Sequence, residues 1–247
     1  MSDEYKPSFK EINFDSGSDF EQFDIDKYLC FEVYFVKEGP NWGEIKSIPY
    51  LLNPQLTWLE IVKKIRYIHL LFNEVSVNYK QRITEIIQYP FKEQIESIIF
   101  HMKAVIDMQI QLVSLETDNN NIISKHEFKY DSIGNIKKYK TTISKECPDL
   151  LNIIFGNEVY EKDNSKFLLI INSLCNSMKH CSLHSEAYGN YGADFPTVVT
   201  YYAPNNSFKN DIEYHNHYLF QLLMGFDNNV RRIFRNMKLY QEIVDLK

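Results

Sequence analysis

The sequence predicts a mainly α-helical protein, a bundle of about four long helices with short β-hairpin and strand excursions. Apolar residues recur at the helical spacing of three and four over several long stretches. Glycine and proline, which interrupt regular elements, number only 8 each in 247 residues. A hydrophobic content of 44% and a charged content of 24% are ordinary for a globular protein, and a chain of this length can bury a real core.

Four segments carry the helical period, and antiparallel packing of their apolar faces makes a helical bundle the natural architecture. They cover residues 57–88, 91–113, 165–184 and 211–240. Pro90 separates the first two, because proline lacks the amide proton and disfavours helix in the residue before it. A polar run at 116–121 predicts a break after the second. A shorter helix is expected to start at Pro148 and to stop at Gly156.

The remaining segments favour extended structure. Residues 28–36 are aromatic and β-branched and predict a strand, as do residues 197–202, whereas residues 126–140 predict a hairpin that turns at 132–135. The resulting division is an N-terminal arm with a short strand over 1–55 and a helical bundle over 56–247. The bundle would carry an inserted hairpin at 122–143 and a loop with a strand at 186–205.

Charge and composition exclude several classes of protein. A net charge of −6 argues against coating of nucleic acid through bulk electrostatics, although a local basic patch remains compatible with it. The first residues are polar, and no apolar run is long enough to span a bilayer, so we expect a cytoplasmic protein with reduced thiols and no membrane contact. Fingerprints of nucleotide hydrolases, zinc proteases and serine hydrolases are missing from the sequence.

One predicted helix carries an unusual polar strip within "INSLCNSMKHCSLH", residues 171–184. Ser173, Asn176, His180 and His184 are spaced by three or four and therefore share one face. The imidazole of His180 is suited to general acid or base catalysis near neutral pH, and Lys179 beside it can stabilise a phosphate. The alternative is that these groups are hydrogen-bonded inside the bundle.

A helical Asn-x-x-Lys-His late in a bundle of about four helices resembles the HEPN superfamily, whose members include RNA-cleaving toxins and anti-phage effectors. The motif of that family is an Arg, a polar residue that is often Asn, a few variable positions and a His. "CNSMKH" matches it at Asn176 and His180, with Lys179 in a variable position. Cys175 stands where the family has its Arg.

The resemblance implies a metal-independent endoribonuclease, or at least an RNA-binding protein, in a prokaryotic toxin or anti-phage defence system. The implied site consists of His180 as general acid or base, Asn176 as its positioning partner and Lys179 as the phosphate contact. It needs no metal or cofactor, and it is shared by the two protomers of a homodimer. The alternative is a catalytically inactive helical module that binds a partner protein, which the cysteine at 175 favours.

Weaker candidates lie elsewhere in the chain. The cations of "RRIFRNMK" are expected to contact RNA phosphates, unless they only solvate a helix end; they are Arg231, Arg232 and Arg235, with Lys238 beside them. Thiols and imidazoles around the strip offer zinc ligands as an alternative to buried free cysteines; they are Cys147, Cys175, His180, Cys181 and His184.

Two further patterns point to binding or pairing. Glu213 and His217 are four residues apart and would pair on a helix. Tyr188, Tyr191 and Phe195 belong to a glycine-containing loop that can stack unpaired bases, or else cover the edge of the core.

Overall fold

The computed structural model of the chain describes residues 9–12, 39–49, 52–82, 89–180, 185–188, 195–203 and 212–246. The fold within these residues is mainly α-helical with short strands, as the sequence predicts. In chain order the elements are β1 (Phe9–Ile12), α1 (Pro54–Arg82), α2 (Tyr89–Lys125), α3 (Ile133–Glu146), α4 (Pro148–Phe155), α5 (Phe167–His180), β2 (Ser185–Tyr188), β3 (Thr197–Tyr202), β4 (Ile212–Tyr218) and α6 (Leu219–Asp245).

The four strands form one mixed sheet in the order β1-β4-β3-β2. β1 pairs with β4 in parallel, and the other two pairings are antiparallel. In the β3–β4 pairing Thr200 lies opposite His215, and Val198 lies opposite His217. Since directly opposed residues share a face of a sheet, both histidines project to the same side. α5 packs against β3, and α2 packs against β2.

The central element of the core is α2, which contacts α1, α4, α5 and α6. Its apolar positions are fully buried; they include Ile95, Ile98, Ile99, Met102, Ile106 and Ile110. The segment Lys92–Asp118 is long and apolar enough to cross a membrane, yet 61% of its most apolar window is buried inside the protein. Internal packing therefore accounts for the apolar character of this helix.

The predicted break at 116–121 is present as a bend within α2, and the helix continues beyond it to Lys125. The helix bends at Asp118, whose φ of −132° and ψ of 18° are not helical. Leu115 and Ile122 are buried on either side of the polar run, so the core holds the helix together across it. Asn120 and Asn121 at the end of this run are exposed.

The predicted hairpin at 126–140 is wrong, since its second half belongs to α3. The helix begins after Ser132, whose hydroxyl accepts the backbone N–H of Asn135. Asp107 on α2 accepts the N–H of Ile133 at 3.0 Å and so satisfies another free donor of the first turn. α3 buries Ile133, Ile136 and Ile143, and this apolar face holds the segment against the helical body.

The predicted helix at 211–240 is correct only from residue 219. Residues Ile212–Tyr218 form β4, and α6 then runs to Asp245. His215 and His217 are buried while Asn216 is exposed, which is the alternation of a strand. β1 is a strand that the sequence did not predict. The predicted strand at 28–36, and residues 181–184 of the predicted third helix, lie outside the described residues.

The short helix predicted from Pro148 to Gly156 is confirmed as α4, with Gly156 as its C-cap. Gly156 adopts a φ of +80°, which favours glycine. A Cβ built on Gly156 would clash with the carbonyl oxygen of Glu161 and with the Cα of Lys162. The following loop therefore packs against backbone that has no room for a side chain.

We expect Gly156→Ala to destabilise the protein by more than the roughly 1–3 kcal/mol of a strained backbone conformation alone, because the clash adds to that strain. Urea unfolding followed by far-UV circular dichroism would measure the change. Gly43→Ala is the matched control, since the nearest atom to its added Cβ is at 3.4 Å. Equal effects of the two substitutions would contradict this account of the Gly156 backbone.

Candidate functional site

The polar strip predicted on the third helix belongs to α5, whose other side is apolar. Phe167, Leu168, Ile171 and Leu174 are buried in the core. Ser173 and Ser177 are also buried, at 4% and 0% exposure, and they face the sheet. The strip is thus directed toward other polar groups of the protein over its first two turns.

Those groups form what we call the His215–His217 cluster, a set of buried or half-buried polar side chains between α5 and the β3–β4 pair. Its members are Ser173, Ser177, Thr200, Glu213, His215 and His217. The histidines are 0% and 2% exposed. A buried polar cluster has to satisfy its hydrogen bonds internally, because each unpaired group costs about 1–3 kcal/mol.

A chain of contacts runs through the cluster. His215 Nδ1 lies 3.1 Å from His217 Nε2, and His215 Nε2 lies 3.6 Å from a carboxylate oxygen of Glu213. The hydroxyl of Thr200 donates to that of Ser177 at 2.9 Å, and Ser177 donates to the carbonyl oxygen of Leu174 at 2.8 Å. These contacts link β3, β4 and α5 through side chains.

Burial sets the protonation at one end of this chain, and hydrogen bonding sets it at the other. Loss of solvation, with the neighbouring His215, lowers the pKa of His217 to about 3. His217 is therefore uncharged at neutral pH. The adjacent His215, the Ser173 hydroxyl and Lys137 lower the pKa of Glu213 despite its partial burial, so the carboxylate is ionised.

The predicted catalytic residues lie on the outer part of α5. Asn176 is half-buried, and Lys179 is exposed with its ammonium 5.1 Å from the centre of the Phe100 ring on α2. α5 ends at His180, whose side chain lies outside the described part of the chain, as does all of His184. His180 follows Ser177 by one turn, so its position continues the strip that begins at Ser173.

Cys175, at the position of the family Arg, is fully buried, with its sulfur 3.6 Å from the carbonyl oxygen of Ile99. Burial raises the pKa of this thiol to about 12, and burial likewise raises the pKa of Cys147. Both thiols stay protonated and are poor metal ligands in this state. Among the described residues no three His, Cys, Asp or Glu side chains form a metal-binding group, and Cys181 lies outside them.

The three arginines predicted to contact RNA differ in their exposure and in their bonding partners. Arg232 is 4% exposed and donates to the carbonyl oxygens of Ile154 and Glu161, so it is committed to the fold. Arg235 is exposed and forms a bidentate pair with Glu161 at 2.7 to 3.0 Å. Arg231 is half-buried, and its charge acts on the carboxylate of Asp227.

The predicted helical pair of Glu213 and His217 is replaced by a different arrangement. The two residues share one face of β4, but His215 lies between them and contacts both. Sequence reasoning missed His215 and Thr200. The His-x-His spacing of two was the available signal, since it places both rings on one face of a strand.

The aromatic loop is described only in part. Phe195 is 41% exposed and packs edge-to-face on Tyr218 and Phe220 at the start of α6. Tyr188 ends β2, and Tyr191 lies outside the described residues.

Comparison with known proteins adds no assignment: no family model matches the sequence, and neither the curated proteins nor the solved structures contain a significant match.

Proposed function

We propose that this protein acts on RNA as a metal-independent endoribonuclease of the HEPN type, within a prokaryotic toxin or anti-phage system. His180 is the general acid or base, Asn176 positions it, and Lys179 contacts the scissile phosphate. Two protomers bring their α5 helices together to complete the site, and no cofactor takes part.

The observation that supports the proposal is that α5 is held against the sheet by hydrogen bonds of its serines. Ser173 in the middle of α5 contacts Glu213, and Ser177 nearer its C-terminal end bonds Thr200, while Asn176 is half-buried and Lys179 is exposed. An acid–base residue at the end of a helix fixed in this way is held by a rigid scaffold rather than by a loop. Proton transfer by a positioned imidazole is worth about 10²–10⁴ in rate.

A second candidate is a catalytically silent helical module that binds a protein partner. The burial of Cys175 favours it, because no cation occupies the position of the family Arg. Lys179 would have to leave the ring of Phe100 to reach a phosphate. In this second candidate Asn176 and His180 are structural.

Substitution of His180 separates the two candidates. We expect wild-type protein to cleave bulk RNA in excess chelator and His180→Ala to lose about 10²–10⁴ of that rate, because the proton-transfer group is gone. Timed gel assays across a pH series would measure both. His126→Asn is the matched control: His126 is exposed at a φ of 50°, which asparagine tolerates.

Equal cleavage by wild type and His180→Ala would contradict the catalytic role, and so would cleavage that requires added metal. If wild type is inactive and His180→Ala lowers the unfolding free energy by about 1–3 kcal/mol, a missing buried hydrogen bond is the explanation, and the silent module stands.

A further inference from the structure

α3 presents a strongly basic surface in a protein of net charge −6. We call it the lysine face; it consists of Lys137, Lys138, Lys140 and Lys145, all exposed. The helix contains a single acidic residue, Glu146, at its end. Ile133, Ile136 and Ile143 form its buried side, which Lys138 and Lys145 lie opposite, whereas Lys140 follows the bend of the helix at Tyr139.

The charges of the lysine face are not neutralised locally. None of its members forms an ion pair with another described residue, in contrast to Lys64, Lys103 and Lys162, which pair with acids one turn away. Lys137 is the member whose charge also acts on the Glu213 carboxylate. A concentration of unpaired cations on an acidic protein makes a local positive potential that attracts polyanions.

Aromatic rings lie beneath and beside these cations. The ammonium groups of Lys138 and Lys129 are 5.0 and 5.3 Å from the centre of the half-buried Tyr139 ring. The ammonium of Lys140 is 5.5 Å from the centre of the Phe155 ring. These cation–π contacts hold the ammonium groups in place, so that they present a fixed set of charges to phosphates.

The N-terminal end of α3, with Lys137, lies beside the middle of α5. A Cβ on Gly134 of α3 would lie 3.7 Å from the amide oxygen of Asn172 on α5. Lys137 acts on Glu213, which Ser173 also contacts. From Ser173 to His180 the helix advances about 10 Å at 1.5 Å per residue, a span that a few nucleotides cover.

We propose that the lysine face binds the phosphate backbone of single-stranded RNA and leads it along α5 toward His180. This inference rests on the proposed function. It assigns the RNA contacts to α3 in place of Arg232 and Arg235. Arg232 donates its hydrogen bonds to the interior of the protein, and Glu161 neutralises the charge of Arg235.

The test measures binding of a short fluorescent oligouridylate across a salt series, in the His180→Ala background so that the RNA stays intact. The variant K138Q/K140Q/K145Q leaves Lys137 in place. We expect its affinity at low salt to fall about tenfold or more. The salt slope should become shallower by roughly two, since each phosphate that a lysine no longer neutralises reduces it by about 0.7.

The matched control is K10Q/K46Q/K63Q, which removes the same charge from three exposed lysines elsewhere in the chain. It should bind nearly as the parent does, and both triple variants should keep the parental melting temperature. Equal weakening by both would show bulk charge alone and overturn the proposal. So would an unchanged salt slope, absence of binding by the parent, or tighter binding of polyglutamate than of RNA, which would indicate an acidic protein partner.

The binding test of the lysine face and the cleavage test of His180 can fail independently of each other. Loss of RNA binding in K138Q/K140Q/K145Q together with undiminished cleavage by His180→Ala would contradict the catalytic role of His180 and support RNA binding by the lysine face. Chelator-resistant cleavage that depends on His180, together with an unchanged salt slope in K138Q/K140Q/K145Q, would support the catalytic proposal and overturn the proposal for the lysine face.

Discussion

The free energy of unfolding is expected to fall steeply with pH below 6.5, by about 1.4 kcal/mol per pH unit through His217 alone. The pKa of this histidine is 6.5 in the unfolded chain and about 3 in the folded protein. Between these two pKa values His217 is protonated in the unfolded chain and uncharged in the folded protein. The contribution is complete above pH 6.5 and is lost as the pH falls toward 3, about 5 kcal/mol in all.

Urea titrations between pH 4.5 and 6.5 on wild type and His217→Gln would measure this effect. The variant should show a flatter dependence, so that the stability difference between the two proteins narrows as the pH falls. Glu213, whose pKa is lowered, contributes mainly below this window. Burial raises the pKa of Asp227, which acts in the opposite sense but is present in both proteins. Parallel curves for the two proteins would show that His217 is not buried uncharged.

Replacement of Arg232 by alanine is expected to cost about 3–5 kcal/mol, because this buried charged group donates several hydrogen bonds, each worth about 1.5–3 kcal/mol. Its guanidinium donates to Ile154 at 2.6 Å, to the Asn229 side chain at 2.9 Å and to Glu161 at 3.2 Å. Alanine removes this donor from the buried carbonyl oxygen of Ile154 and opens a cavity beneath α6, whereas the carbonyl oxygen of Glu161 keeps its bond from Asn236.

Arg235→Ala is the matched comparison, three residues further along the same helix. Its pair with Glu161 is exposed on both sides, so its loss should change stability by about 0–1 kcal/mol. Thermal and denaturant unfolding of both variants would rank them. A cost for Arg232→Ala no larger than that for Arg235→Ala would refute a structural role for the buried guanidinium.

The contrast between these arginines shows where the sequence stops being informative. "RRIFRNMK" has the composition of a phosphate-binding helix, and nothing local distinguishes Arg232 from Arg235. The difference arises from carbonyl groups about 70 to 80 residues earlier in the chain. Which side of α6 receives them is decided by packing and not by local pattern.

The same limit explains the two misassigned segments. At 211–218, Tyr214 and Tyr218 fit a helical spacing of four, while His215 and His217 fit the spacing of a strand; pairing with β3 decided the outcome. At 132–135 the composition of a turn also suits a helix start, and the N-terminal donor of α3 is satisfied by Asp107, 26 residues away. The long apolar periods of α1, α2 and α5, by contrast, needed no distant partner to be recognised.

The parallel pairing of β1 with β4 joins residues 9–12 to residues 212–215, and Asn41 bonds Gln241 across 200 residues. During synthesis β1 must therefore wait until residues 212–215 have left the ribosome before it finds its partner. Until then the amides and carbonyls of β1 are unpaired, the kind of surface that recruits strands from other molecules. The yield of native protein thus depends on how quickly β4 reaches β1, and slow translation of the residues between them would favour aggregation over completion of the sheet.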